Sequence, residues 1–179
     1  MRWLRVAALL AVAGGSTLLT AGCHDGDDDT VVENEDEYDS WYLIYTNGHP
    51  VAVAASYSGR EEDLIDLINI HRVASGRDAL IACGRMSDVA LAHSVHMDLH
   101  HFTGEFNPEG DFAVERAHKA GLSFFAYAEM TAAGTSDVYE AFDGWNLHPP
   151  YSQLIHDPSM THIGVGYHEG YWTADLAER

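Results

Sequence analysis

The order in which helical and strand-like patterns of hydrophobic residues occur along the chain is the feature that most constrains its fold. Helical patterns dominate residues 60–147, whereas strand patterns concentrate toward the C-terminal end. The last two strand patterns, HIGVGYH and GYWTADL, flank Glu169 and Gly170, a pair typical of a hairpin turn. This order lacks the regular alternation of strands and helices seen in doubly wound folds. It predicts a mixed α/β (α+β) domain built in layers.

Four helices and one further strand are predicted within residues 60–147. The first helix, REEDLIDLINIHRVASG, has acidic residues at its start and Gly76 at its end, as the helix dipole and a glycine C-cap favour. The second covers residues 86–102, and the third, DFAVERAHKAG, ends at Gly121. The fourth, TSDVYEAFDGWNL, has Thr135 or Ser136 as its predicted N-cap. The segment FAYAEMTA predicts a strand.

Residues 41–59 form a lead-in to this domain, which we place at 60–179. The lead-in has two aromatic or β-branched runs on either side of Asn47-Gly48. Such a pattern favours a hairpin, and a partly ordered lead-in is the alternative.

The N-terminus has the pattern of an export signal. Positive charge from Arg2 and Arg5 precedes an apolar stretch that is short for a membrane span. The stretch ends in LLTAGC, which resembles a bacterial lipoprotein box, although Thr20 stands where leucine is more usual. The resemblance implies a signal peptide over residues 1–22 and lipidation of Cys23. An ordinary signal peptide with a coincidental cysteine is the alternative.

Residues 23–40 predict an acidic tether between the lipidated cysteine and the domain. This segment is rich in Asp and Glu and has no Lys or Arg, so charge repulsion keeps it solvated and extended. Since aspartate does not follow Cys23 directly, transfer to the outer membrane is favoured in a diderm host. With Cys23 lipidated, Cys83 is expected to carry a free thiol.

The net charge of -19 excludes one broad class of partner. Because such an acidic surface repels phosphate backbones, we expect no nucleic-acid binding. The expected contact with a membrane is therefore through the lipid anchor.

The helix over residues 86–102 is rich in histidine. His93, His96 and His100 fall on one face, opposite Leu91, Val95, Leu99 and Phe102. This spacing directs three imidazoles the same way, which makes them candidate ligands for a divalent metal such as zinc. The helix lacks the glutamate of the HExxH zinc-protease motif. A semi-polar packing face between layers is the more ordinary interpretation.

Several stretches occur in an order that resembles the bacterial branch of the CAP superfamily, the group of cysteine-rich secretory, antigen 5 and pathogenesis-related 1 proteins. They are LIDLINIHRVASGRDAL, ALAHSVHM, FNPEGDFAVERAHKAG, YAEMTAAG, GWNLHPPYSQLIHDP, HIGVGY and GYWTADL. The resemblance covers roughly residues 61–177 and rests on the order of the motifs more than on any one of them. It implies a three-layer α-β-α sandwich with a small, mainly antiparallel sheet.

The resemblance also implies a cleft that in some members binds a divalent metal through two histidines and acidic residues. Here the two histidine positions fall on Glu105 and Tyr151. The retained glutamate falls on Glu129, and the remaining acidic position falls on His148. His93 belongs to the family's A-x-x-H-S pattern, which the resemblance assigns to the helix and not to the cleft.

Because two of the usual ligands are changed, no cofactor is firmly expected, and zinc binding stays an alternative. The main hypothesis is a tethered, non-enzymatic binding module for a small ligand, lipid, glycan or envelope peptide. One alternative is a metal-assisted hydrolase of envelope material, with Glu105 and Glu129 as the acid and base and His148 as a ligand. Another alternative is a surface adhesin that binds through its exposed loops.

Overall fold

The structure is a computed structural model that describes residues 41–46, 49–54 and 58–179, with side chains described from residue 58 onward. The predicted signal peptide, Cys23 and the predicted tether lie outside the described residues. Among the helices described, none combines the length and the apolar character needed to cross a bilayer.

Two strands precede the main domain. β1 (Trp41–Thr46) and β2 (His49–Ala54) pair antiparallel with each other over their full length. The remaining elements are α1 (Arg60–Ala74), β3 (Ile81–Ala82), α2 (Gly84–His100), α3 (Ala113–Lys119), β4 (Ala126–Ala133), α4 (Val138–Asn146), α5 (Pro149–Ile155), β5 (His162–His168) and β6 (Tyr171–Glu178).

The main sheet has four strands in the order β3-β5-β6-β4. The short β3 pairs parallel with β5, while β5–β6 and β6–β4 are antiparallel. Helices α1, α4 and α5 cover one face of this sheet, and α2 with α3 covers the other. The predicted α+β class and the three-layer sandwich with a mainly antiparallel sheet are therefore confirmed.

The face toward α1, α4 and α5 holds the larger hydrophobic core. Alternate residues of β6, such as Trp172 and Leu176, meet large apolar side chains from the helices. Trp145 of α4 is buried there, and its indole N–H donates to the Thr131 carbonyl at 2.9 Å. The core helices are thus fastened to the edge strand β4 by a hydrogen bond as well as by packing.

On the other face, α2 lies unusually close to β5. A methyl group built on Gly166 would come within 2.1 Å of the Leu91 backbone nitrogen. One built on Gly164 would come within 2.3 Å of the Met86 backbone. The glycines of the IGVG motif therefore allow helix and strand backbones to touch, which no larger residue permits.

Burial of α2 differs from the periodic pattern in its sequence. His93 and His96 are buried, while Leu99 is 53% exposed. Because α2 is covered on both faces along most of its length, periodicity alone could not identify the face that belongs to the core.

Local signals also failed at three places. The N-cap of α4 is Asp137, whose carboxylate accepts from the Tyr139 and Glu140 backbone nitrogens, so the prediction of Thr135 or Ser136 was wrong. Helix α5 and strand β3 were not predicted. Helix α5 is only seven residues long and starts with two prolines, which in a sequence indicate a loop as readily as a helix start.

Cys83 does not carry the free thiol that we expected. It is fully buried beside Met86 and Ala177, and it is disulfide-bonded. The expectation was wrong because a count of cysteines does not show which thiols meet in the folded protein.

The close contact between α2 and β5 gives a prediction. Gly166→Ala should lower the free energy of unfolding by about 3 kcal/mol or more, since backbone atoms must separate to admit the methyl group. Gly144→Ala is the matched control, because Gly144 is helical and its added methyl group meets no atom within 4 Å. That control should gain about 0.5–1 kcal/mol. Urea unfolding of the three proteins measures both, and equal stability of Gly166→Ala and wild type would contradict the packing.

Candidate functional site

The four predicted cleft residues lie around the edge strand β4. Glu129 is on β4 itself, and Glu105 is in the loop between α2 and α3. His148 is the N-cap of α5 and Tyr151 is in its first turn, with their ring centroids 4.9 Å apart. Tyr151 is half-buried, and Glu105 and His148 are exposed. The structure thus gathers a polar rim of one carboxylate, one imidazole and one phenol.

Glu105 and Tyr151 interact electrostatically across this rim. Burial raises the pKa of the Tyr151 phenol, and the negative charge of Glu105 raises it further, whereas hydrogen bonding from Thr131 opposes the shift. The phenol is therefore neutral at physiological pH and can both donate and accept a hydrogen bond. The carboxylate of Glu105 offers only acceptors.

Glu129 behaves differently from the rim residues, because its carboxylate is sealed inside the protein. Its side chain is fully buried, and its Oε2 accepts from the Arg116 guanidinium at 2.5 Å. The same guanidinium donates to the carbonyl oxygens of Glu105 and Asp111, both at 3.0 Å. Arg116 therefore neutralises Glu129 and also holds the backbone of the loop that carries Glu105.

A second buried carboxylate, which the sequence analysis missed, faces Glu129. Asp175 on β6 is the cross-strand partner of Glu129 and is fully buried. Neither of its carboxylate oxygens has a hydrogen bond of acceptable geometry among the described residues. Its signal in the sequence was an acidic residue within the otherwise apolar strand YWTADL.

The two carboxylates share one cation, and this shapes their protonation. Burial raises the pKa of Asp175 to about 7. Burial, and then repulsion from Asp175, raises the pKa of Glu129 as well, while Arg116 opposes the rise. Two carboxyl groups this close and this dry cannot both ionise, so the pair holds a proton across neutral pH.

His93 joins this buried cluster from α2. Its Nε2 lies 2.8 Å from the Gly104 carbonyl oxygen and 3.5 Å from Glu129 Oε1. Burial, and then the positive charge of Arg116, lower the pKa of His93 to about 3, so the ring is neutral. Since a carbonyl only accepts, Nε2 carries the proton. His93 therefore holds the loop before Glu105 and also contacts a cleft residue, a role that the resemblance did not imply.

The three candidate metal-ligating histidines do not stay together. His93 points toward Glu129, whereas His96 and His100 lie together with ring centroids 4.6 Å apart. His96 Nε2 is 3.2 Å from Glu109 Oε2. Burial lowers the pKa of His96, although the Glu109 carboxylate opposes the shift.

These positions determine what the cleft can do chemically. The rim can bind groups that donate and accept hydrogen bonds. Glu129, one of the two candidate catalytic carboxylates, is enclosed and already paired, so it has no open path to a substrate proton. A separate surface groove of about 490 Å³ lies between α1 and residues 136–139, away from these residues.

Comparison with known families agrees with this arrangement of motifs. The sequence model of the cysteine-rich secretory protein family, CAP, matches residues 65–175. Among curated proteins, the uncharacterized membrane protein YlbC of Bacillus subtilis is 24% identical over 119 residues, which is 66% of this chain and 34% of YlbC.

Two solved structures share the fold. An extracellular protein from Bacillus anthracis that contains an SCP domain superposes with a TM-score of 0.66 at 22% identity, over 73% of this chain and 47% of that protein. An outer surface protein from Borrelia burgdorferi superposes with a TM-score of 0.64 at 15% identity, over 70% of this chain and 96% of that protein. The chain spans only about a third of YlbC and about half of the B. anthracis protein, so the likeness concerns the domain.

The buried pair of carboxyl groups predicts a specific pH dependence. The pKa of Asp175 is higher in the folded protein than its ordinary value of 3.8, so its contribution to stability is present below pH 4 and is lost as the pH rises toward 7. Asp175→Asn keeps the shape and removes the charge. This variant should resemble wild type at pH 4 and unfold at a higher temperature than wild type at pH 8.

Thermal unfolding at the two pH values measures this difference. Asp143→Asn, a change at an exposed position of α4, is the control and should differ from wild type by the same amount at both pH values. A pH-independent difference for Asp175→Asn would contradict the shared proton.

Proposed function

Because the chain belongs to the cysteine-rich secretory protein (CAP) family, we propose that it is an exported, membrane-tethered binding module whose cleft recognises a ligand without transforming it. The binding residues are Glu105, His148 and Tyr151 on the rim, with Glu129 beneath them as support. The three similar proteins named above are described as a membrane protein, an extracellular protein and an outer surface protein of bacteria, which supports the proposed location.

The observation that carries the proposal is the ion pair between Glu129 and Arg116. Catalysis by two carboxyl groups requires both of them to reach the reacting atoms. Here the Glu129 side chain has no exposed surface and its charge is satisfied by Arg116, so Glu105 is the single accessible carboxylate among the four cleft residues. A rim of this kind suits recognition better than hydrolysis.

The chemistry of the rim narrows the ligand class. A carboxylate, a phenol and an imidazole together bind hydroxyl, amide and ammonium groups through hydrogen bonds. The net charge of -19 disfavours anionic ligands such as acidic lipids. Among the ligands considered from the sequence, we therefore propose envelope glycan and peptide. Purified cell-wall sacculi contain both and are a suitable test ligand.

The N-terminal segment completes the proposed function. The signal peptide over residues 1–22, lipidation at Cys23 and the acidic tether over residues 23–40 would hold the domain away from a membrane surface. An outer-membrane position follows if the host is diderm. The domain would then reach envelope polymers from its anchor.

Binding to sacculi provides the test of the cleft. Glu105→Gln and Tyr151→Phe each remove a hydrogen-bonding group from the rim and should weaken cosedimentation of the chain with purified sacculi by about tenfold, the equivalent of one or two hydrogen bonds. The matched controls are Glu62→Gln and Tyr139→Phe, because both residues are exposed on helices away from the rim. The controls should sediment as wild type does.

Two other outcomes would replace this function with an alternative. If the rim variants sediment as wild type does, the attachment runs through exposed loops, as in an adhesin. If the chain releases soluble fragments from sacculi and a folded Glu129→Gln variant does not, the protein is a hydrolase. Circular dichroism of each variant verifies that it is folded.

Lipidation at Cys23 can be tested by metabolic labelling. An alkyne-labelled fatty acid fed to the producing bacterium should label wild type, and Cys23→Ser should lose the label. A labelled Cys23→Ser protein, or an unlabelled wild type, would contradict lipidation at Cys23.

A further inference from the structure

Three metal-ligating side chains converge at the C-terminal end of α2, apart from the four cleft residues. His96 and His100 are one helical turn apart and lie on the same face of α2. Glu109 approaches them from the loop between α2 and α3. One ligand atom from each of the three residues lies within 4.8 Å of the other two.

One edge of this triangle, between His96 and Glu109, already has the spacing of a metal site. Zinc bonds of 2.0–2.1 Å in a tetrahedron place neighbouring ligand atoms about 3.3 Å apart. The distance from His96 Nε2 to Glu109 Oε2 is 3.2 Å. The third ligand, His100, is exposed, so its ring can close the remaining distance by rotation about its side-chain bonds.

His96 is buried with an unsatisfied ring nitrogen. The residue is only 3% exposed, yet its Nε2 makes no hydrogen bond of acceptable geometry among the described residues. Buried side-chain nitrogens normally have a hydrogen-bond partner. This nitrogen faces the Glu109 carboxylate, and a cation between the two atoms would satisfy both.

The surroundings hold His96 in place while leaving the site open. The ring of Phe102 meets the His96 ring edge-on at 5.5 Å, and the His100 ring meets it edge-on at 4.6 Å. Glu109 and His100 face solvent, so an ion can enter from that side and keep a water molecule as a fourth ligand. Two imidazoles and one carboxylate with an open position are a ligand set typical of zinc.

We propose that His96, His100 and Glu109 form a binding site for a divalent transition metal of the zinc class. This site uses none of the residues that the family resemblance places in the cleft. It goes beyond the proposed function, which needs no metal.

Zinc titration of the tag-free full chain, stripped with chelator, provides the test. Isothermal titration calorimetry should show one tight equivalent of zinc for wild type. His100→Ala and Glu109→Gln should each weaken this binding by about tenfold or more, since each removes a direct ligand. Both residues are exposed, so these variants should stay folded, as their unfolding temperatures without metal would show.

Two matched controls remove a similar group nearby. His101→Asn removes an imidazole next to the site and keeps the left-handed backbone that His101 adopts, which asparagine tolerates. Glu62→Gln removes an exposed carboxylate on α1. Both controls should bind zinc as wild type does, and zinc should raise their unfolding temperatures equally.

The proposal is overturned if stripped wild type binds no zinc, or if His100→Ala and Glu109→Gln retain wild-type affinity. The second result would place the ion elsewhere in the chain. Because the sacculus experiment is run on rim variants and without added metal, its outcome is separate from this one.

Discussion

The contact between α2 and β5 is the constraint on which the rest of the domain depends. At Gly164 and Gly166 the strand lacks side chains, so the helix backbone lies directly against the sheet. This approach brings His93 of α2 within 3.5 Å of Glu129 on β4. Helix α2 is buried along most of its length, so two of its histidines, His93 and His96, lie inside the protein.

Burying polar groups between α2 and the sheet is electrostatically unfavourable, and Arg116 compensates for it. Its guanidinium donates hydrogen bonds to the Glu129 carboxylate and to the carbonyl oxygens of Glu105 and Asp111. Asp175 adds a second buried carboxyl group beside Glu129, and shared protonation relieves the repulsion between them. The cleft therefore rests on a buried polar cluster whose residues come from α2, α3, β4 and β6.

Features that a continuous hydrophobic pattern specifies were predicted well from the sequence, whereas features that depend on a particular partner were not. Helix patterns with clear ends, such as α1 before Gly76 and α3 before Gly121, coincide with the structure, and so does the β5–β6 hairpin. The sandwich itself was confirmed, because the order of helices and strands leaves few ways to cover a sheet. Asp137 as the N-cap and the disulfide at Cys83 were missed, since each depends on a choice between neighbours or on a distant partner.

The cleft residues, too, were partly predictable from the sequence and partly decided by the tertiary structure. By itself, the sequence determined the layered fold, and the order of its motifs pointed to Glu105, Glu129, His148 and Tyr151, which the structure gathers around β4. Only the tertiary structure decided that Glu129 is sealed by Arg116, that Asp175 faces it, and that His96 and His100 meet Glu109 while His93 turns away. The physical reason is that periodicity reports which side of an element is apolar, whereas charge pairing depends on contacts between residues far apart in the chain.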